Sequence, residues 1–206
     1  MDEATNADLL WAIRGAGQYF GIVAELGIKT HPLSMIGNDD GSRSLGTFIF
    51  PTQRAEDVCR AMSKIMTDPD LVTAGHFMIV NPPPAFQQCL MVAPQYLGST
   101  ENAAAAFKPL TDLGPMMAMS NPVTFENHSD HISMMCAKGD FKRFSQIGIK
   151  EFKTENFMKL IDIHKRLLEK FPDAGRSGIT VEWHSPSKKP AAADTAFGNH
   201  DVDLWL

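Results

Sequence analysis

Hydrophobic and polar positions along this chain switch between a helical period and a strand period, and the switches mark its elements. Near the start Leu9, Leu10 and Ile13 fall at helical spacing, and the run Phe20-Gly-Ile-Val-Ala-Glu-Leu-Gly-Ile-Lys-Thr30 then reads as a strand. His31-Pro32 ends it, because proline cannot donate to a sheet ladder. Residues 34–44 are polar and turn-rich and form the best domain boundary in the sequence. Residues 45–50 predict a strand, after which Thr52 caps a helix with Val58, Ala61, Met62, Ile65 and Met66 on one face. Residues 73–80 and 87–96 predict two further strands, paired as a hairpin across the stiff Pro82-Pro83-Pro84 connection. Gly98-Ser99-Thr100 opens a second helix with Ala103, Ala106, Phe107, Leu110 and Leu113 inward, stopped at Gly114-Pro115. Residues 122–128 read as a strand and 129–152 carry no clear period. Thr154 caps a third helix with Phe157, Leu160, Ile161, Leu167, Leu168 and Phe171 inward, and residues 178–184 form a last strand before a Pro/Lys/Ala loop.

Strands with short connections, interrupted by a few helices, imply an α+β fold. The expected sheet is mostly antiparallel, with helices packed on one face and the open face forming a pocket wall. Two units are expected, residues 1–33 and residues 34–206. The 206 residues, 44% hydrophobic and 21% charged, suit an ordinary globular protein. A net charge of −5 excludes a nucleic-acid surface, and Lys188-Lys189 is only a pair in a solvated loop. No apolar run approaches the roughly 20 residues needed to span a bilayer, so no membrane partner is expected. The acidic, polar N-terminus is no secretory signal, and the chain as it stands is expected to be cytoplasmic. Cys59, Cys89 and Cys136 are too few and too far apart for a disulfide framework, and the first two read as small core residues. Asn127-His128-Ser129 is a glycosylation sequon that matters only in a secreted parent.

The candidate chemistry concentrates on the last long strand. Its two-residue period sets Ile179, Val181 and Trp183 on one face and Thr180, Glu182 and His184 on the other. A carboxylate and an imidazole two residues apart can work as an acid/base pair, Glu182 with His184. The competing reading is an amphipathic strand whose polar side simply meets water. His76 and Tyr96 are placed on the same wall, His76 with Thr180 as substrate contacts and Tyr96 as a further acid or oxyanion donor. Each is equally explained as a packed residue with one hydrogen bond. His128, His131 and Cys136 lack a fourth ligand, so no metal is expected. Met116, Met117, Met119, Met134 and Met135 suit an adaptable apolar pocket, a core filler or an interface. Gly15-x-Gly17 is not a dinucleotide fingerprint, because Phe20 stands where the third glycine belongs and the helix precedes the strand.

The segment from Asp8 to Glu25, Asp-Leu-Leu-Trp-Ala-Ile-Arg-Gly-Ala-Gly-Gln-Tyr-Phe-Gly-Ile-Val-Ala-Glu, does resemble a known element. It is similar to the closing segment of the FAD-binding domain in flavin-linked oxidases of the berberine bridge enzyme-like and p-cresol methylhydroxylase-like (vanillyl-alcohol oxidase) group. Thr47-Phe-Ile-Phe-Pro51, Gln95-Tyr-Leu-Gly98 and Pro109-Leu110 with Leu113-Gly-Pro115 look like that family's substrate domain. So does Thr195-Ala-Phe-Gly-Asn-His-Asp201, where Gly198, Asn199 and His200 replace the family's Pro-His-Arg. The resemblance implies the end of an FAD domain followed by most of a substrate domain, lacking parts at both ends. Gly15, Gly17, Gly21, Ile22 and Val23 are the positions it places alongside FAD, with affinity in this chain alone weak or absent. It also implies that the sheet face looks at substrate and carries the base, although family members are often secreted. Three functions follow. One is the substrate domain of an FAD-linked oxidoreductase acting on an apolar small-molecule secondary metabolite. The others are a flavin-independent isomerase or cyclase using the same pocket, and a non-catalytic binding protein. The partners implied are a small-molecule substrate and a partner chain or homodimer.

Overall fold

The computed structural model describes residues 5–36, 41–68, 71, 73–130, 138–139, 143–185 and 194–206. His131, Met134, Met135, Cys136 and the Lys188-Lys189 pair lie outside the described residues. The described chain falls into two compact units, one of 5–31 with 194–202 and one of 32–185 with 203–206. Residues 194–202 therefore group with the N-terminal stretch rather than with the sheet that the sequence boundary assigned them to.

The larger unit is built on a seven-stranded sheet of order β4-β1-β3-β2-β6-β7-β5. Its strands are β1 (Ser42–Pro51), β2 (Thr73–Val80), β3 (Cys89–Leu97), β4 (Met117–Thr124), β5 (Gly148–Ile149), β6 (Ile179–His184) and β7 (Leu204–Trp205). Every pairing is antiparallel, and with the helices this gives the α+β class expected. Phe48 pairs with Val92, Val92 with Phe77, and Phe77 with Val181. This apolar row runs across four strands on one face and is buried throughout.

Three helices cover that face: α2 (Ala55–Thr67), α3 (Thr100–Thr111) and α4 (Thr154–Lys170). In α2 the buried positions Ala55, Val58, Cys59, Met62, Ile65 and Met66 trace one helical stripe. Phe107 of α3 meets Phe48 edge-on at 5.9 Å, and Phe157 of α4 stacks on Phe77 with centroids 4.2 Å apart. Each such ring, fully buried, contributes roughly 1.5–3 kcal/mol.

Departures from the sequence reading have physical causes. The stretch 20–30 forms no strand; it runs as an irregular, exposed segment with Ile22 99% and Ile28 78% accessible. Its composition favours a strand, but a strand requires a ladder, and none of the seven pairs with it. β1 begins at Ser42, inside the stretch read as a boundary, because β4 pairs with it as far as Thr124. β4 itself starts at Met117, five residues early, since its partner Ile49 sets the register. Thr52 opens a short 3₁₀ turn instead of capping α2, and Thr154 is the first residue of α4 with no side-chain cap. Ser99 does cap α3, accepting from the Asn102 N–H at 3.2 Å. Leu167 of α4 and Phe171 just after it, both read as inward, are 39% and 47% exposed. His164 takes the inward position, and no apolar pattern announces it.

His164 is 1% exposed and fully used. Gln88 Nε2 donates to its Nδ1 at 2.8 Å, which leaves Nε2–H to donate to the Ser177 carbonyl at 2.9 Å. The ring thus ties α4 both to the approach of β3 and to the approach of β6. Replacing it by leucine removes two hydrogen bonds, leaving Gln88 its bond to the Ile161 carbonyl and Ser177 a long one from Asn81. His164→Leu is expected to lower the unfolding free energy by about 1–3 kcal/mol in a urea titration. Cys59 offers a second test. Burial, aided by the Glu56 charge, pushes its thiol up to about 12. The folded chain then keeps a proton that the unfolded chain, with a thiol near roughly 8.5, has lost. Stability is unaffected below that value and falls as pH rises from it towards 12. Urea titrations between pH 8 and 10 should show this decline, and Cys59→Ala should flatten it.

Candidate functional site

The pleat that buries the apolar row commits the intervening residues to the opposite, open face. On that face Ile49 pairs with Met117 and with Met91, Met91 with Met78, and Met78 with Thr180. This is an apolar row rich in methionine. Beside it runs a polar row in which His76 faces Glu182, and Glu182 faces Trp205 of β7. A third row joins Leu45, Gln95, Ala74 and His184. Met116, Met117 and Met119 are all exposed, 64%, 45% and 49%, so they are not core fillers. Cys59 and Cys89 are buried, the first under the helices and the second on the open side.

Glu182 and His184 make an acid/base contact on this face. His184 Nε2 lies 3.0 Å from Glu182 Oε1, with the side chains 55% and 37% exposed. His76 stands directly across from Glu182, and directly opposed residues in such a ladder bring their Cβ atoms to about 5 Å. The backbone beneath is tightly fixed. Trp183, between the two acid/base residues, points into the core at 0% exposure and donates from Nε1 to Thr73 Oγ1 at 3.3 Å. Ser185 Oγ accepts from the Thr73 N–H at 2.6 Å and donates to the Thr73 carbonyl at 2.6 Å. Trp183 also passes directly over Gly75, its cross-strand partner.

Of the residues singled out in the sequence, the structure brings Glu182, His184, His76 and Thr180 onto one face. Tyr96 is not among them. Its cross-strand partners are Ser44 and Thr73, and it packs against the buried cluster. The half-turn of the pleat between residues 95 and 96 separates it from His76. Sequence reading also missed Arg43, which sits on the open face with only 9% exposure. The signal was there in the alternation of Arg43, Leu45, Thr47 and Ile49, but the turn-rich stretch before it masked the strand's beginning.

The five glycine-segment positions belong to the smaller unit. α1 (Ala7–Ala16) kinks at Arg14 and Gly15, where Gly15 has φ 141°. A Cβ at Gly15 would strike the backbone of Ala196 and Phe197, and Ala196 N–H donates to the Trp11 carbonyl at 3.1 Å. The close approach that glycine permits here is taken by the chain's own segment 194–202. Gly17 opens a 3₁₀ turn, Gly21 has φ 123° with open space around it, and Ile22 and Val23 are exposed. These positions do not converge on one cradle. Among the described residues no three His, Cys, Asp or Glu side chains group to hold a metal, and no helix is long and apolar enough to cross a membrane.

The comparisons with known proteins bear on this geometry. The chain is 24% identical over 185 residues to the FAD-linked oxidoreductase hasG of Aspergillus fumigatus, covering 87% of this chain and 37% of that protein. It is 25% identical over 218 residues to the carbohydrate oxidase of Microdochium nivale, covering 98% of this chain and 42% of that one. The chain is a relative of the FAD-linked oxidoreductases. It spans about two fifths of the length of the curated relatives it matches. The crystal structure of the Bermuda grass isoallergen BG60, a pollen group 4 allergen, superposes with a TM-score of 0.57 at 12% identity. That match covers 80% of this chain and 35% of the allergen, and it supports the fold alone. No family model matches.

The local architecture makes Gly75 the sharpest test of what positions the site. A Cβ there would overlap the Ala93 carbonyl oxygen and the Trp183 ring. Gly75→Ala should lower the melting temperature markedly, by at least about 3 kcal/mol in stability. Circular dichroism melts check this, and the NMR signals of Glu182 and His184 should shift in whatever folded fraction remains.

Proposed function

We propose that the open face of the sheet is the substrate wall of an FAD-linked oxidoreductase acting on an apolar small molecule, with Glu182 as general base. The observation that carries this reading is the 3.0 Å Glu182–His184 contact on the same face as the methionine row. Catalytic proton transfer needs a base fixed within hydrogen-bond reach of the substrate proton. Glu182 is fixed by its strand, which Trp183 and Ser185 lock to β2. His184 holds the carboxylate in one rotamer through its Nε2–H, and His76 borders the same carboxylate from the neighbouring strand. Thr180 places a hydroxyl at the edge of the methionine row, suited to orienting a substrate oxygen. Met78, Met91 and Ile49 offer an adaptable apolar bed for the body of the molecule.

The relatives' names supply the cofactor, FAD. The glycine segment does not fit it alone, since Gly15 is occupied by the chain's own backbone and Gly21 to Val23 stand in the open. The polypeptide that holds it is a partner chain or a further part of the same protein. Tyr19, Phe20, Ile22, Leu26 and Ile28, all more than half exposed, give that polypeptide an apolar surface to cover. A second reading follows from the same mismatch. An intact acid/base pair on a face without its own cofactor cradle also suits a flavin-independent isomerase or cyclase of the same substrate class.

The test is the visible absorption spectrum after excess FAD and desalting, with turnover of candidate alcohols and phenols followed alongside. Glu182→Gln is expected to lower kcat by about 100-fold or more without changing flavin content, and His184→Ala to lower it less. A colourless preparation that still converts substrate favours the isomerase or cyclase. Unchanged turnover in both variants refutes the role given to this pair.

A further inference from the structure

We propose that Arg43 anchors a carboxylate, so that the substrate of the open face is an acid with an apolar body. This inference rests on the reading of that face as a substrate wall and names the chemical class of what lies on it. Arg43 is 9% exposed, and its guanidinium makes two contacts. Nη1 donates to Gln95 Oε1 at 3.3 Å, and the Phe125 ring lies over the group with its centroid 5.1 Å from Cζ. Nε and Nη2 are buried and have no hydrogen-bond partner, and no carboxylate among the described residues pairs with the group.

The two unmet atoms are not a random pair. Nε–H and Nη2–H point the same way from one edge of the guanidinium and form its two-pronged fork, the geometry that accepts both oxygens of a carboxylate. A ring above the plane offsets part of the charge but satisfies no N–H. Desolvation already depresses this arginine's pKa, yet a guanidinium does not shed its proton in a protein. A buried cation with two idle donors is costly, and it is retained where a ligand completes it.

A carboxylate fits better than a phosphate. One negative charge balances one buried cation, whereas a dianion would leave a surplus charge in a buried setting. Phe125, 47% exposed at the turn after β4, is the ring the guanidinium lies over, and trimming it would open the approach to Arg43. Gln95, which holds Nη1, lies in the same row as Ala74 and His184. Three strand steps of about 4.8 Å, from β1 across β3 and β2 to β6, separate the strand of Arg43 from that of the acid/base pair, a span of roughly 14 Å.

The experiment is an NMR titration of the whole chain with benzoate, its neutral isostere benzamide, and inorganic sulfate. Benzoate is expected to shift the Arg43 Nε–H and the Gln95 side-chain amide, and benzamide and sulfate to leave both in place. Arg43→Lys, which keeps the charge but loses the fork, should weaken benzoate at least tenfold. Arg43→Met should abolish binding and raise Tm, because it removes a cation whose donors are unmet in the free protein. Should Arg43→Met not fold, Phe125→Ala leaves the donors intact, and it should strengthen the benzoate response. An Arg43 Nε–H that ignores benzoate, an equal response to benzamide, or a preference for sulfate overturns the proposal. Binding is read without flavin or turnover. A silent Glu182→Gln would refute the base while leaving Arg43 standing, and a silent Arg43 would leave Glu182 standing.

Discussion

The two-residue period of the pleat ties the candidate site to the core. Phe77, Val181, Val92 and Phe48 form one continuous row because α3 and α4 press rings against them from one side. A slip of one residue in β6 would expose Trp183 and bury Glu182, so the core leaves that strand a single register. The facing of His76 by Glu182 is thus enforced from behind the sheet. The geometry of the candidate site on one side is a by-product of hydrophobic burial on the other.

That dependence also explains what could be read in the sequence. The strands 73–80 and 178–184 were legible, and with them the faces of His76, Thr180, Glu182 and His184, because alternation is a local signal. The helix stripes of α2 and α3 were legible for the same reason. Tyr96 was misplaced because facing depends on counting residues along β3 relative to β2, and a hairpin's register is not written in either strand alone. His164 was invisible because its partners, Gln88 and Ser177, lie far away in the chain. Residues 20–30 show the opposite failure, with strand composition but no ladder among the strands described.

The glycine segment separates sequence resemblance from geometry. Its likeness to a flavin-domain element is carried by residue types, and the relatives are indeed FAD-linked oxidoreductases. Yet the same glycines answer to local demands here. Gly15 admits the Phe197 backbone, and its φ of 141° lets α1 kink. A glycine that serves the chain's own packing cannot at the same place admit a ligand. The likeness in sequence thus speaks to ancestry, while the geometry at Gly15 answers to the chain's own packing.

The open face carries its polar groups at two ends, and they differ in kind. Glu182 and His184 are partly solvated and hydrogen-bonded to each other, so holding them in place costs the fold little. Arg43 is buried with both prongs of its fork unmet, which the fold tolerates only at a cost in stability. Residues tuned for stability alone would show the reverse, since an apolar side chain at position 43, between Leu97 and Val123, would bury no unmet donors. On an amphipathic sheet that merely meets water a cation would sit outermost, and Arg43 does not.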